Sequence, residues 1–526
     1  MHDTRTRTIV REKYAVSYAS AWVIASISSI LSLVAVDAQG QALTADAAPK
    51  RAIEIVPRLS VSETWTDNAR AGSVDKQFDL ITAISPGILV RAESARLKGY
   101  LDYSINKINY SKNSSSDQSQ NSLNAFGTLE AVDNLFFIDV SGNISQQSIS
   151  AFGTQSAVDT SINLNQTEVS NYRLSPSFRG RLTDVANYEA RWSRSIVESK
   201  SDVRSGVGQT DWLLNLNGNT AVKGLAWSVD TSRQTVGFSE GRPTEADRAI
   251  VGMDYSLTPQ LNINANRGFD SNNYSSLEKE TQASSGVGFN WIPSGSTTVS
   301  GSMDQRSFGR MHSLNFDHRT GRTAWKITDS RSVATSPTQT ALGSIGSIYD
   351  ILYSQFATIE PNPGERAQLV NAYLQTNNIS PNSKVLTPYL ISALTITRRQ
   401  DVIFALMGAR STVTFIASQT RSQRLDSLSN SIDDYSSESS IEQRGLSINY
   451  SHRLTPEMTF SGLASWQKVN GVSAGAGEST GLIGFNLTKT LAKSSNVSAG
   501  FRRVNFSGVS DFSHEAAISI NLNLLF

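Results

Sequence analysis

The chain ends in a strand that stops on an aromatic residue: Glu515-Ala516-Ala517-Ile518-Ser519-Ile520-Asn521-Leu522-Asn523-Leu524-Leu525-Phe526. Ile518, Ile520, Leu522, Leu524 and Phe526 alternate with Ser519, Asn521 and Asn523. A strand sends successive side chains to opposite faces, so this segment has one apolar and one polar face. An apolar terminal strand left free in water is an aggregation hazard. A strand packed on a soluble core would share the alternation. In a bacterial outer-membrane barrel the same pattern is the closing strand, and it resembles the terminal signal read by the barrel-assembly machinery. The rest of the chain favours the barrel.

The other end of the chain points the same way. Arg5, Arg7, Arg11 and Lys13 form a basic start, and Ala19 to Val36 is apolar or small and uncharged. Val36-Asp37-Ala38 then offers a small-residue cleavage site. That is the layout of a secretory signal peptide. The apolar stretch is short for a spanning helix, which takes about 20 residues, and five serines dilute it. The expected organisation is a signal peptide over 1–38, a short periplasmic tail over 39–52 and a barrel over 53–526. That tail leaves room for no plug domain, which argues against a TonB-dependent receptor.

Within 53–526 period-two patterns recur, as in Leu101-Asp102-Tyr103-Ser104-Ile105-Asn106 and Leu261-Asn262-Ile263-Asn264-Ala265-Asn266. Tight polar breaks (Glu93-Ser94, Asp133-Asn134, Thr258-Pro259-Gln260, Thr455-Pro456-Glu457, Ala492-Lys493-Ser494) alternate with long polar ones (66–77, 111–121, 149–166, 201–208, 237–246, 271–280, 423–440). Short periplasmic turns opposite long extracellular loops are the asymmetry of an outer-membrane barrel. The pattern yields 23 strands when counted along the sequence, and single-chain bacterial barrels have even numbers. The expected fold is therefore an all-β transmembrane barrel of about 22 antiparallel strands, within a range of roughly 20–24. The segments 311–320, 323–332 and 401–408 carry the weakest strand signal. Pro86 and Pro176 lack a ladder donor, which predicts bulges or bends there.

One segment departs from period two. Ile348, Ile351, Leu352, Phe356 and Ile359 follow helical spacing, Pro361-Asn362-Pro363-Gly364 interrupts, and a second short helix follows. This predicts a helical insert over 343–378, serving as a gate or as a docked cap. The sequence leaves open on which side of the membrane it lies.

Little in the chain points to chemistry. With no Cys there is no thiolate metal site, cysteine nucleophile or disulfide. A net charge of +1 and a mean hydropathy of −0.26 give no global attraction to nucleic acid. Asp317-His318 is a weak hint of a base held by a carboxylate, because neighbours on a strand face opposite sides. His452 and His514 are isolated, and no nucleophile elbow, zincin or phosphate-loop motif occurs. No enzymatic activity and no cofactor are expected. Asp426, Asp433, Asp434 and Glu438 read as a solvated acidic loop rather than a Ca²⁺ site.

Function is expected on the polar strand positions. Leu101, Ile105, Ile138, Val140, Ile263 and Ile448 should face lipid. The candidate lumen residues are Lys98, Asp102, Asp139, Asn143, Arg173, Arg179 and Glu189, followed by Arg191, Arg444, Asn449, Arg453, Asn521 and Asn523. Both signs of charge mixed with amides suit water and neutral or weakly charged sugars better than a strongly ion-selective pore.

Pro57-Arg58-Leu59-Ser60-Val61-Ser62-Glu63-Thr64-Trp65-Thr66-Asp67-Asn68 followed by Ile84-Ser85-Pro86-Gly87-Ile88 resembles the PEP-CTERM system-associated outer-membrane barrel family. Pro361-Asn362-Pro363-Gly364-Glu365-Arg366 and the stretch from Arg398-Arg399-Gln400 to Gly408-Ala409-Arg410-Ser411-Thr412-Val413-Thr414 are similar as well. The resemblance spans nearly all of the mature chain. It implies a Gram-negative outer-membrane protein that acts beside exosortase sorting and exopolysaccharide assembly or export, as a conduit or docking barrel. It carries over no catalytic residues. A general diffusion porin and a non-conducting structural or interaction barrel are the alternatives. The expected partners are outer-membrane lipid and lipopolysaccharide, the barrel-assembly machinery, polysaccharide and periplasmic export proteins, with no nucleic acid.

Overall fold

Backbone N–H and C=O groups inside a bilayer have no water to bond, so a strand can cross only if every edge is paired. The computed structural model meets that condition with one closed sheet. It describes residues 52–526 apart from 71–75, 157, 184, 202–205, 240, 335–385, 426–432, 473–476, 493–494 and 509–511. The signal peptide, nearly all of the expected tail and the expected helical insert fall outside the described residues.

The 22 strands are antiparallel, and each pairs with its neighbours in sequence: β1 (Ile53–Thr66), β2 (Asp79–Glu93), β3 (Leu97–Tyr110), β4 (Gln118–Val132), β5 (Phe136–Ser148), β6 (Gln166–Leu182), β7 (Ala186–Ser199), β8 (Val207–Asn219), β9 (Leu225–Phe238), β10 (Thr244–Thr258) and β11 (Leu261–Asn272) form the first half. The second half is β12 (Glu280–Ser294), β13 (Thr297–Arg306), β14 (Gly309–Arg319), β15 (Thr323–Ala334), β16 (Thr395–Met407), β17 (Ser411–Arg424), β18 (Ser440–Thr455), β19 (Met458–Asn470), β20 (Gly477–Ala492), β21 (Ser495–Ser507) and β22 (Phe512–Leu525). The three segments with the weakest signal are the strands β14, β15 and β16. The ring closes where β1 pairs with β22, from Arg58 opposite Leu525 to Thr66 opposite Ala517. The Phe526 N–H donates to the Pro57 carbonyl at 2.9 Å, so the terminal residue is the last tooth of the seam.

Connections at one rim have two to five residues, and those at the other include 67–78, 149–165, 335–394 and 425–439. The short-turn rim faces the periplasm and the long-loop rim the outside. Strand β15 ends and β16 begins at the long-loop rim. One extracellular connection, 307–308, is itself a tight turn, which blurs the alternation of long and short breaks near β13 and β14.

Register follows the sequence pattern. The two Thr-Pro turns that echo each other each carry a register shift, between Ser256 and Thr258 and between Arg453 and Thr455. Pro86 and Pro176 behave differently from expectation. Ile84 pairs with Lys107 and Gly87 with Ser104, and Leu174 pairs with Arg194 and Ser177 with Arg191, so neither register shifts. Each proline keeps its pairing on its other side, Pro86 with Leu59 and Pro176 with Ile138. The missing donor interrupts one ladder locally and displaces nothing.

Trp212, Phe178, Phe269, Ile483 and Ile520 lie on the outer surface, each 46–63 % exposed to what is lipid in the membrane. Leu101, Ile105, Ile138, Val140, Ile263 and Ile448 share that surface by register. The alternate positions face inward and are mostly polar, with buried apolar residues such as Ile81, Ile108 and Ile416 among them. This is an outer-membrane β-barrel.

Candidate functional site: a polar lumen closed at its outer mouth

The lumen wall is built by strand parity. Asp139 on β5 stands between β4 and β6, where it accepts from Thr128 at 2.7 Å and meets the Arg179 guanidinium at 3.3 Å. Arg191 on β7 reaches the same carboxylate at 2.9 Å and holds Glu189 at 2.8 Å. Four of the residues picked out from sequence thus form one ion network across three strands. Asp102 pairs with Arg58, a partner the sequence alone did not single out. Gly87 makes room for it, because a Cβ there would lie 2.7 Å from Arg58 Nε. Arg173 bonds to the hydroxyls of Ser175 and Ser193 at 3.2 and 3.3 Å.

The amides run in ladders. Asn523 donates to Asn496 at 2.9 Å, Asn521 to Ser498 at 3.3 Å, and Asn449 to Ser447 at 3.1 Å. Asn143 accepts from Ser145 at 3.2 Å. Lys98 lies opposite Thr128 and Arg453 opposite Thr459, each on the inward face near the periplasmic rim.

Arg444 does not belong with them. It has the parity of Leu446 and Ile448 and faces outward, where it pairs with Glu442 at 2.7 Å. β18 has 16 residues, more than the roughly 10 needed to span. Its outer end projects past the apolar band, so a charged residue sits on the outer face there without entering lipid. Two more outer-face clusters have the same position on their strands. They are Asp329 with Arg398, Gln400 and His312, and Lys279 with Glu245 and Asp247.

Further round the wall lies a cavity of about 560 Å³, lined by Arg173, Arg191, Arg248, Arg306, Asp211 and Asp304 among others. Arg306 is held by the fully buried Asp270 at 2.6 Å and Arg248 by Asp304 at 3.6 Å.

Sequence reasoning missed a strap across the outer mouth. The described end of the long connection, Leu386 to Leu394, is a strap with Tyr389, Leu390, Ile391, Ala393 and Leu394 all buried. Its first residues are anchored on β18 and β19. Thr387 N–H donates to Gln467 at 3.0 Å, and Gln443 donates to the Thr387 carbonyl at 2.9 Å. Its middle pairs with β5 on the far side of the ring, where Leu390 N–H donates to the Ser148 carbonyl at 3.1 Å. Leu390 then packs on Val169 of β6 and Val197 of β7.

Two loops complete the plug. Ala151, Tyr389, Ile391, Tyr435, Ile441 and Val469 form a dry cluster drawn from the 149–165 loop, the strap, the 425–439 loop and the wall. Full burial of Ile391, Ile441 and Val469 contributes roughly 1.5–3 kcal/mol each. Asp426 lies outside the described residues, and the other three acidic residues are not solvated as expected. Asp433, Asp434 and Glu438 are buried and serve as acceptors inside the plug. Asp434 takes the Ala151 N–H at 2.7 Å and the Ser150 hydroxyl at 2.8 Å. Asp433 takes the Ser392 N–H at 3.1 Å, and Glu438 takes the Val472 N–H at 2.6 Å. A carboxylate withdrawn from water needs such donors. The signal was available in the spacing of Asp433, which caps the short turn Asp434–Ser436 by accepting from Tyr435 N–H.

Asp317 and His318 point to opposite faces. His318 Nδ1 lies 2.8 Å from the Thr297 hydroxyl, and Asp317 faces Lys326 at 3.7 Å. Among the described residues no group of three His, Asp or Glu is placed to hold a metal ion.

No family model matches this chain, and no curated protein does. Solved structures with a similar fold include the siderophore receptor PirA from Pseudomonas aeruginosa, at 9 % identity and a TM-score of 0.43, over 90 % of this chain and 80 % of that one. The FrpB iron transporter from Neisseria meningitidis (F5-1 variant) follows at 11 % identity and 0.48, over 90 % and 82 %. The siderophore receptor PirA from Acinetobacter baumannii stands at 9 % and 0.45, over 90 % and 80 %.

Proposed function

We propose that this barrel serves exopolysaccharide assembly or export as a gated conduit. One observation carries the reading: a folded strap, with its own apolar cluster and hydrogen-bond network, crosses the outer mouth above a wall of ion pairs and amides. A general diffusion porin needs a standing opening, and this plug spans from β18 and β19 to β5. A wall of ion pairs and amides offers donors and acceptors to sugar hydroxyls without a net charge to trap the chain. The resemblance to exosortase-associated barrels supports the same role. Its partners would be the polysaccharide, periplasmic export proteins and, at the outer-face charge clusters, lipopolysaccharide. The barrel-assembly machinery would recognise the terminal strand.

The test is deletion of the gene, followed by measurement of surface polysaccharide. Loss of polymer, restored by the intact gene, is the expected outcome. Unchanged surface polysaccharide would refute the export role. Planar-bilayer recordings separate the alternatives: low conductance with the plug intact and high conductance without it is expected, whereas a steadily open wild type would make the chain a porin.

A further inference from the structure

The inward face of β3 to β5 carries an aromatic residue where parity calls for a polar one. Phe126 sits between Tyr100 of β3 and Ser141 of β5 and is 54 % exposed. The Tyr100 ring stacks on it, with centroids 5.8 Å apart and planes 20° from parallel. The Tyr100 hydroxyl is tied to Asp102 at 3.4 Å, and Asp102 is in turn held by Arg58. Packing and hydrogen bonding thus fix the pair as a flat platform.

The surroundings of the platform are polar and tied into ion pairs. Asp102 with Arg58 lies on one side, and Asp139 with Arg179, Arg191 and Glu189 on the other. In these two clusters three guanidinium groups are paired with three carboxylates, Arg91 opposite Tyr100 is paired with Glu54, and Arg173 in the row of Ser141 is held by Ser175 and Ser193. Each pair presents fixed donors and acceptors at the edge of an aromatic face. That combination matches a pyranose ring, whose axial C–H groups meet the negative π face while its equatorial hydroxyls reach the flanking charges. The geometry points to a binding subsite for neutral hexose units on the lumen wall, with Phe126 as the stacking surface and Tyr100 as its support. Tyr100 lies four residues into β3 from the periplasmic rim. A polymer entering from the periplasm reaches this platform before the plug. The inference deepens the export reading by naming the class of cargo, and it rests on that reading for its biological meaning.

The full mature barrel, purified in detergent, is titrated with maltohexaose and cellohexaose, with hexagalacturonate as the acidic counterpart, by calorimetry and saturation-transfer NMR. Binding of at least one neutral hexaose is expected, with an affinity at least tenfold lower in Phe126→Ala. Phe126→Leu, which keeps apolar area but no π face, should lose binding as well. Heat-modifiable migration verifies that each variant is folded, and Phe126→Leu decides the matter if Phe126→Ala does not fold. No binding of either neutral hexaose, equal affinity in the folded variants, or preference for hexagalacturonate would overturn the inference. If the gene deletion removes surface polysaccharide while no hexaose binds, the subsite fails and export stands. If hexaoses bind through Phe126 while surface polysaccharide survives deletion, export fails and the subsite stands.

Discussion

The hydroxyl of Tyr389 lies 2.9 Å from that of Tyr435, joining the strap to the short turn of the 425–439 loop at the centre of the plug. Tyr389 is 1 % exposed and Tyr435 5 %, so this contact holds two extracellular segments together out of water. Tyr389→Ala would remove a fully buried ring, a change that costs about 3–5 kcal/mol for large aromatic residues. The expected result is higher single-channel conductance and faster uptake of large antibiotics, with heat-modifiable migration unchanged. Unaltered conductance in a folded variant would mean that the plug does not close the path.

Burial holds both phenols above their usual pKa of about 10. Below pH 10 the folded and opened plug both keep the protons, and closure is independent of pH. Above it the opened state releases protons that the closed state retains, so closure weakens as pH rises. Conductance should therefore increase between pH 10 and 11. The double variant Tyr389→Phe with Tyr435→Phe should lose that dependence.

Asp434→Ala would leave the Ala151 N–H and the Ser150 hydroxyl without their acceptor. An unsatisfied buried donor costs roughly 1–3 kcal/mol. Limited proteolysis of intact cells should then cut within 149–165 faster than in the wild type. Equal cleavage rates would place Asp434 outside the forces that hold the loop.

Ile105 faces lipid and is 40 % exposed, while Asn106 faces the lumen. Ile105→Arg should cost about 2–4 kcal/mol if it lies near the bilayer midplane, and Asn106→Arg much less. The folded fraction recovered from outer membranes measures the difference. Equal recovery would contradict the assigned faces.

Arg502 and Glu515 pair at 2.7 Å beside the seam, with Glu515 only 2 % exposed and also bound by Thr66 of β1 at 3.1 Å. Arg502→Ala would strand that carboxylate, a loss of about 3–5 kcal/mol for a broken buried pair. Deleting Phe526 should weaken the same seam by removing the bond to Pro57. Both variants should show a lower temperature of heat modification, and a normal transition temperature in both would dissociate the seam from barrel stability.

The barrel was legible because its rule is local. Alternation in Ile518 to Phe526 or Leu261 to Asn266 states both the strand and its faces, and tight turns such as Thr258-Pro259-Gln260 state where it reverses. Arg444 was misplaced because its charge was given priority over its parity, which it shares with Leu446 and Ile448, and β18 is long enough to carry a charge on the outer face beyond the apolar band. The ion network of Asp139, Arg179, Glu189 and Arg191 was legible residue by residue but not as a network, since register across β5 to β7 decides who meets whom. The plug was illegible for a similar reason. Nothing in Ser-Ile-Asp-Asp-Tyr at 431–435 says that its carboxylates will find Ala151 and Ser392. Phe126 was passed over because a single aromatic residue in a polar run is indistinguishable from noise until its stacking partner is seen.

The plug draws on segments about 280 residues apart in the chain, such as Ala151 and Asp434. Those segments meet only when the intervening strands have taken their places round the ring, because contacts between distant parts of a chain form last. A newly inserted molecule therefore passes through a stage in which the wall is complete and the mouth unsealed. During that interval each molecule is a hole in the permeability barrier, and the speed at which Tyr389 finds Tyr435 sets how long the cell leaks.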